Sequence, residues 1–374
     1  MKRIVLRILL YFVYISVVSA QEGRNPIVFG NNRITLISPT LFRLEFAEDG
    51  KFLDEKTLFA HNRDSLLQDF EVIDKGNNNY EIRTPKLTLV YNHDKFPFGL
   101  YNFHVLYNME GKEKKFTVRG RQSKNLRGTI STLDRVDKPI PLDEGLLSRD
   151  GWYIINDAGK DVLKDGWITR RSDNHVQDLY CFVYGTDYHV ALKDLGRISG
   201  HVPMTRKHVH GVWYCRYWDY SADEYRRIVD EYAQNNFPID NMVFDMGWHT
   251  QKEAKEGTGH AFSRGWTGYT WNNTLIPDPK GLIKEFKDDH IYVSLNDHPH
   301  DGIRPHESMY IDFMKAIGRE PNGETVLFDA GNKKYMETFL EYAHRESWDA
   351  GISFWWLDWQ QDYLYPFVRG LNKT

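Results

Sequence analysis

The chain has 374 residues, enough for two domains. Its 48 Lys and Arg against 52 Asp and Glu leave a net charge of -4, and the basic residues are scattered rather than striped, which argues against a nucleic-acid partner. Aromatic residues make up 14% of the chain, a richness that suits both sugar binding and β-rich domains.

Residues 1–20 read as an export signal. Lys2, Arg3 and Arg7 give a positive start, residues 8–18 an apolar core, and Val18-Ser19-Ala20 a small-residue cleavage site. The apolar core is too short for a comfortable membrane span. Cleavage after Ala20 and an exported product, periplasmic or secreted, with no stable membrane insertion are therefore expected. The competing reading is a retained N-terminal anchor. With Cys181 and Cys215 as its two cysteines, the chain is not a disulfide scaffold.

Residues 21–200 are expected to form a β-sandwich. Residues 34–38, 41–46, 80–84 and 87–91 alternate, or nearly alternate, apolar and polar side chains. Polar turn clusters such as residues 74–79 separate them, the pattern of an antiparallel sandwich. No long helical period is expected before about Arg197.

The rhythm changes over residues 201–374. Strands are expected at residues 212–218, 241–246, 291–296 and 352–358. Ser221-Ala222-Asp223-Glu224 is a capping box that starts a helix with Tyr225, Ile228, Val229 and Tyr232 on one face. Further helices are expected at residues 281–289 and 335–348, the latter with Phe339, Tyr342 and Ala343 inward. Such alternation argues for parallel βα units. Four units do not close an eight-stranded barrel, so the fold class expected is a β-sandwich followed by the first half of a (β/α)8 TIM barrel. An open half-barrel exposes parallel edges, and the chain is expected to be a truncated piece that folds poorly alone.

In such a barrel, catalysis sits at the C-terminal ends of the strands. There the sequence places Arg216, Trp218 and Asp219, then Asp245, Trp248 and His249, then Asn296, Asp297, His298 and Asp301, and finally Asp358. Carboxylates accept bonds from sugar hydroxyls, and indoles stack on C–H faces. Asp358, between Trp356 and Trp359, is the strongest nucleophile candidate. Retaining glycosidases need two carboxyls about 5–5.5 Å apart, one to attack and one to protonate the leaving oxygen. A nucleophile must also stay ionised, which calls for a donor such as Arg216. Each residue has a structural reading beside this one: Asp245 as a strand end, His298 as a turn residue before Pro299, Arg216 as an ion-pair partner. No metal is expected, because His298-Pro299-His300 and His306-Glu307 lack a clear partner set. Gly257-Thr258-Gly259 is too short for a phosphate cradle. No organic cofactor is expected either.

Several of these stretches resemble glycoside hydrolase family 31, the α-glucosidase and α-xylosidase family. Residues 146–157, ending Trp152-Tyr153-Ile154-Ile155-Asn156-Asp157, look like that family's loop from the sandwich towards the active site. Phe244-Asp245-Met246-Gly247-Trp248-His249 is similar to its second-strand motif. Residues 266–272 and 277–279, then Leu295-Asn296-Asp297-His298-Pro299-His300-Asp301-Gly302, match its third unit, and residues 354–361 its nucleophile strand.

The resemblance implies a retaining, exo-acting α-glycosidase with Asp358 as nucleophile and Asp245 holding hydroxyls of the terminal sugar. Arg216, Trp248 and His298 are implied nearby, with Trp356 and Asp157 as further substrate-binding candidates. The family's general acid comes from a later strand, so very low turnover is expected of this stretch alone. Trp359-Gln360-Gln361 and Gly247 depart from the family's pattern, and glucose, xylose, galactose or an N-acetylhexosamine stay open as the sugar. An oligosaccharide or glycoconjugate is the expected partner. The rival readings are a carbohydrate-binding protein that does not cleave, a truncated pseudoenzyme, and a transglycosylase.

Overall fold

A computed structural model describes residues 24–128, 137–171, 175–250 and 265–358. The expected leader, residues 257–259 and residues 359–361 lie outside the described residues. The chain divides into two units, Met1–Val202 and Pro203–Thr374.

The first unit is built on two five-stranded antiparallel sheets. One contains β1 (Ile27–Phe29), β2 (Asn32–Ser38) and β3 (Leu41–Ala47), with β10 (Trp152–Asn156) and β13 (His175–Val183), in the order β1-β2-β3-β13-β10. The other runs in sequence order through β5 (Glu71–Gly76), β6 (Asn79–Arg83), β7 (Leu87–Asn92), β8 (Phe103–Met109) and β9 (Lys112–Phe116). Short β4 (Lys56–Thr57), β11 (Val162–Lys164) and β12 (Trp167–Thr169) form a third sheet. Ile34, Leu36, Phe42 and Leu44 meet Ile82, Leu89, Tyr91, Phe103 and Val105 in one core, as period-two alternation requires.

The opposite face of β2 and β3 is also buried, although it carries charge. Ion pairs explain this. Arg33 meets Glu45 at 2.6 Å, Arg43 meets Asp178 at 2.6 Å, and Arg171 meets Asp178 at 3.0 Å. Burial alone would raise the Asp178 carboxyl, but Arg43, Arg63 and Arg171 hold it down at about 2. The carbonyl of Leu53 accepts from Arg33, Arg43 and Arg63.

One helix departs from the sequence-based expectation. α1 (Tyr188–Ser199) starts where the Asp187 carboxylate accepts from Val190 N at 3.1 Å. It buries Ala191, Asp194 and Ile198, a sparse apolar stripe that leaves little period to read.

The second unit holds four parallel strands in sequence order: β14 (Trp213–Tyr214), β15 (Asn241–Phe244), β16 (Tyr292–Asp297) and β17 (Phe354–Leu357). α2 (Ala222–Gln234) begins with the capping box Ser221–Glu224, and α3 (Pro279–Asp288) begins with Asp278 as its cap. Their apolar faces pack with the outward side chains Met242, Phe244, Val293 and Leu295. α4 (Tyr310–Ala316) was not anticipated; it packs with Tyr335 and Phe339.

The expected helix at 335–348 is interrupted. α5 (Lys333–Phe339) passes through a π turn at Leu340–His344 into α6 (Arg345–Ala350). A π turn advances the side-chain register, and here both Ala343 and His344 are buried.

β14 is shorter than the expected 212–218, because residues 215–220 leave the sheet as a loop. β17 is not enclosed on both faces. It is an edge strand among the described residues, and Trp356 and Leu357 are exposed. The sheet is nevertheless curled: the rings of Trp213 on β14 and Phe354 on β17 lie 5.2 Å apart, although two strands separate them.

Candidate active site

Strand alternation sets which side chains share the concave face of this sheet. Phe244, Leu295 and Trp355 pair across the strands and point to the helices. Their neighbours Asp245 and Asn296, and Asp358 three residues beyond Trp355, therefore point the other way, together with Cys215 and His298.

Asn296 joins the two carboxylates. Its Nδ2 donates to Asp245 Oδ1 at 3.2 Å and to Asp358 Oδ2 at 3.3 Å. The backbone N–H of Met246 also donates to Asp245 Oδ1, at 2.8 Å, and the Cys215 thiol donates to Asp245 Oδ2 at 3.5 Å. Burial, with the Asp245 and Asp358 charges, pushes that thiol up to about 12, so it remains a donor at neutral pH. His298 Nε2 lies 3.8 Å from Asp358 Oδ2, and neither ring nitrogen has a hydrogen-bond partner among the described residues. Burial pulls the His298 imidazole below its ordinary value, against the raising effects of Asp358, Asp297 and Asp245. It is thus neutral at pH 7.

Behind this face stands a second layer. Asp297 points outward, accepts from the Tyr269 hydroxyl at 3.0 Å and pairs with His344 at 2.8 Å. The His344 ring stacks on Trp355 at 3.9 Å, and Asp358 N donates to Asp297 O at 3.0 Å. The π turn that brings His344 inward therefore braces the strand that ends at Asp358.

Three expected site residues stand differently from their sequence reading. Trp248 is fully buried among Trp271 and Trp355, and its Nε1 donates to Asn296 O at 2.8 Å. It supports the strand carrying Asn296 and offers no face to a sugar. Asp157 belongs to the first unit, where it is fully buried and accepts from Thr57 at 2.8 Å and Arg63 at 2.9 Å. Its carboxylate is a structural member of that unit's ion network. Arg216 lies over the Trp218 ring at 4.9 Å and donates to Tyr220 at 3.4 Å. The amide of Asn296 takes the donor role towards Asp358 that was expected of Arg216.

Trp356 is 37% exposed and Trp218 53% exposed, and the Trp266 ring lies 5.3 Å from His298. These indoles, rather than Trp248, are placed to meet a ligand. Cys215 was the functional contact missed from the sequence. The available signal was parity: it stands two residues beyond Trp213, on the same strand face. Among the described residues, no group of three or more His, Cys, Asp or Glu is arranged to hold a metal ion.

Residues 202–368 match the glycosyl hydrolases family 31 TIM-barrel domain. An alpha-xylosidase of Saccharolobus solfataricus is 24% identical over 179 residues, covering 48% of this chain and 22% of that protein. A 1,6-alpha-glucosyltransferase of Sporosarcina globispora is 31% identical over 98 residues, covering 26% of this chain and 7% of the relative. Among solved structures, a family 31 alpha-xylosidase from a soil metagenome, complexed with xylose, superposes with a TM-score of 0.58 at 16% identity, over 89% of this chain and 56% of that one. A Flavobacterium johnsoniae family 31 dextranase, complexed with glucose, gives a TM-score of 0.58 at 18% identity, over 88% and 45%. The chain thus spans about a fifth or less of the length of these two sequence relatives and about half of the two structures. The two structures share its fold, and the family model is met by the strands that carry Asp245, Asn296 and Asp358. Over residues 202–368, the chain is similar to the barrel domain of glycoside hydrolase family 31.

Proposed function

We propose that this protein is an exported, retaining, exo-acting α-glycoside hydrolase of the α-glucosidase type that works through a covalent glycosyl ester on Asp358. The observation that carries this reading is the pair Asp245 and Asp358 on one Asn296 amide, beside the neutral imidazole of His298. Asp245, held by three donors, is suited to accept from sugar hydroxyls. Asp358 is partly exposed and lies at the end of β17, where its carboxylate can reach an anomeric carbon.

Double displacement also needs an acid on the leaving-group side. Asp245 shares its donor with Asp358 and is a poor candidate for that role. We assign the acid to a residue other than Asp245 and Asp358. The relatives are an α-xylosidase and an α-glucosyltransferase, which keeps the proposed substrates to α-glycosides and leaves the sugar to experiment.

The test is hydrolysis of a panel of p-nitrophenyl α-glycosides by the longest open reading frame containing this chain, beside its Asp358→Asn variant. Release of nitrophenol from one α-glycoside, reduced about 10⁴-fold or more in the variant, is expected. Retained glycan binding with no hydrolysis of any substrate would favour the non-cleaving carbohydrate-binding reading.

A further inference from the structure

Gly247 lies in the turn Met246–Trp248 that begins at Asp245. A Cβ at this position would come 2.8 Å from Asp219 Oδ1, 3.0 Å from Asp219 Cα and 3.3 Å from Trp218 O. The carboxylate of Asp219 therefore fills the space of a side chain at 247, and only glycine lets it rest there. Gly247 needs no left-handed backbone, so this contact is the reason for the glycine.

Asp219 belongs to the exposed loop that follows β14. That loop begins at Cys215, which touches Asp245, carries Arg216 and Trp218, and ends at the cap of α2. The Asp219 side chain has no hydrogen bond or ion pair to the described protein. A carboxylate is acceptor-only, so its free lone pairs meet water or the hydroxyls of a ligand.

The active site supplies a second, independent pointer to a ligand. His298 is 2% exposed and has no hydrogen-bond partner for either ring nitrogen, although it faces Asp358. A buried imidazole in that state is suited to a hydroxyl from outside the protein.

We infer that Asp219 is a specificity-determining residue of this site, its carboxylate accepting from a hydroxyl of the sugar that Asp245 holds. This rests on the reading of the site as one for α-glycosides. Gly247, against which the Asp219 carboxylate packs, lies two residues after Asp245 in the same turn. Asp245 has three donors of its own, whereas Asp219 packs against Gly247 with no hydrogen bond among the described residues. The sugar hydroxyl that reaches Asp219 is then the one whose position or absence separates one pyranose from another. Trp218, next in the loop, provides an exposed indole for the sugar's C–H face.

The experiment is calorimetric titration of the full chain with glucose, xylose and galactose, using wild type, Asp219→Ala and Gly247→Ala, with Asp358→Asn in parallel for turnover. Asp219→Ala is expected to weaken the preferred sugar about tenfold or more and to change the order of the three, as loss of a charged acceptor does. Gly247→Ala, which displaces an intact Asp219, is expected to change the order in the same sense. A loss of fold stability at position 247 would lower the melting temperature without reordering the sugars.

Unchanged affinities and order in Asp219→Ala overturn the inference, even where Asp358→Asn abolishes hydrolysis and the enzymatic reading stands. Reordered affinities in a chain that hydrolyses nothing support the inference and count against the hydrolase. Failure of every sugar to bind the wild type overturns it.

Discussion

Asp245 and Asp358 accept from one nitrogen, the side-chain amide of Asn296, at 3.2 and 3.3 Å. They come from strands on either side of β16. Two carboxylates this close repel, and a shared donor offsets part of that repulsion while fixing their spacing. Asn296→Ala removes both bonds and is expected to lower kcat/KM about 10- to 100-fold. Asn296→Asp adds a third carboxylate to the pair and should cost more. Steady-state kinetics on the preferred α-glycoside checks this; a milder defect in the Asp variant would show that the amide is not acting as a donor.

The buried imidazoles make stability pH-dependent. Burial depresses both His298 and His249 below the ordinary value of 6.5. The unfolded chain therefore binds these protons at a higher pH than the folded one does. Their contribution is fully present above about pH 6.5 and is lost as pH falls towards the folded values. Melting temperature is expected to drop between pH 7.5 and 5.5, and His298→Gln should flatten that slope. An identical slope in the variant would remove His298 from the account.

Cys215 is exposed at its surface but its thiol is pushed up to about 12, by burial first and then by Asp245 and Asp358. Thiolate, the reactive form, is scarce at neutral pH. Iodoacetamide at pH 7.5 is expected to label the folded protein far more slowly than the urea-unfolded chain, as read by intact mass. Cys215→Ser keeps a donor to Asp245. Cys215→Val removes it and should lower kcat/KM about fivefold. Equal activity in the two variants would deny the thiol its role.

In the first unit, Asp178 accepts from Nε and Nη2 of Arg43, at 2.6 and 2.7 Å, and also meets Arg171. Asp178→Asn leaves buried guanidinium charge without its anion. It is expected to destabilise the first unit by about 3–5 kcal/mol. Urea unfolding followed by tryptophan fluorescence would measure this, and a loss below about 1 kcal/mol would mean that Glu45 and Asp157 suffice.

Much of the local structure was legible because it depends on neighbours in sequence. Alternation marked β2, β3, β6 and β7. Ser221 and Glu224 announced α2, and both halves of that capping box form. Asp245 and Asp358 could be placed at strand ends because each closes an apolar run. α1 was missed because its N-cap, Asp187, precedes only a thin apolar stripe. The π turn at Leu340–His344 was missed because nothing in a helical period marks an inserted residue.

The sequence by itself determined most of the strands, the starts of α2 and α3, the succession of parallel units and which acids follow their strands. These follow from short-range periodicity, capping and the chemistry of single side chains. Only the tertiary structure decided what each side chain meets. Trp248 faces the core, Asp157 is held by Arg63, His344 stacks on Trp355 of β17, and Asn296 bridges Asp245 and Asp358. The physical reason is register. A one-residue shift turns a strand side chain to the other face, and the register between β15, β16 and β17 is set by packing between segments about fifty to sixty residues apart.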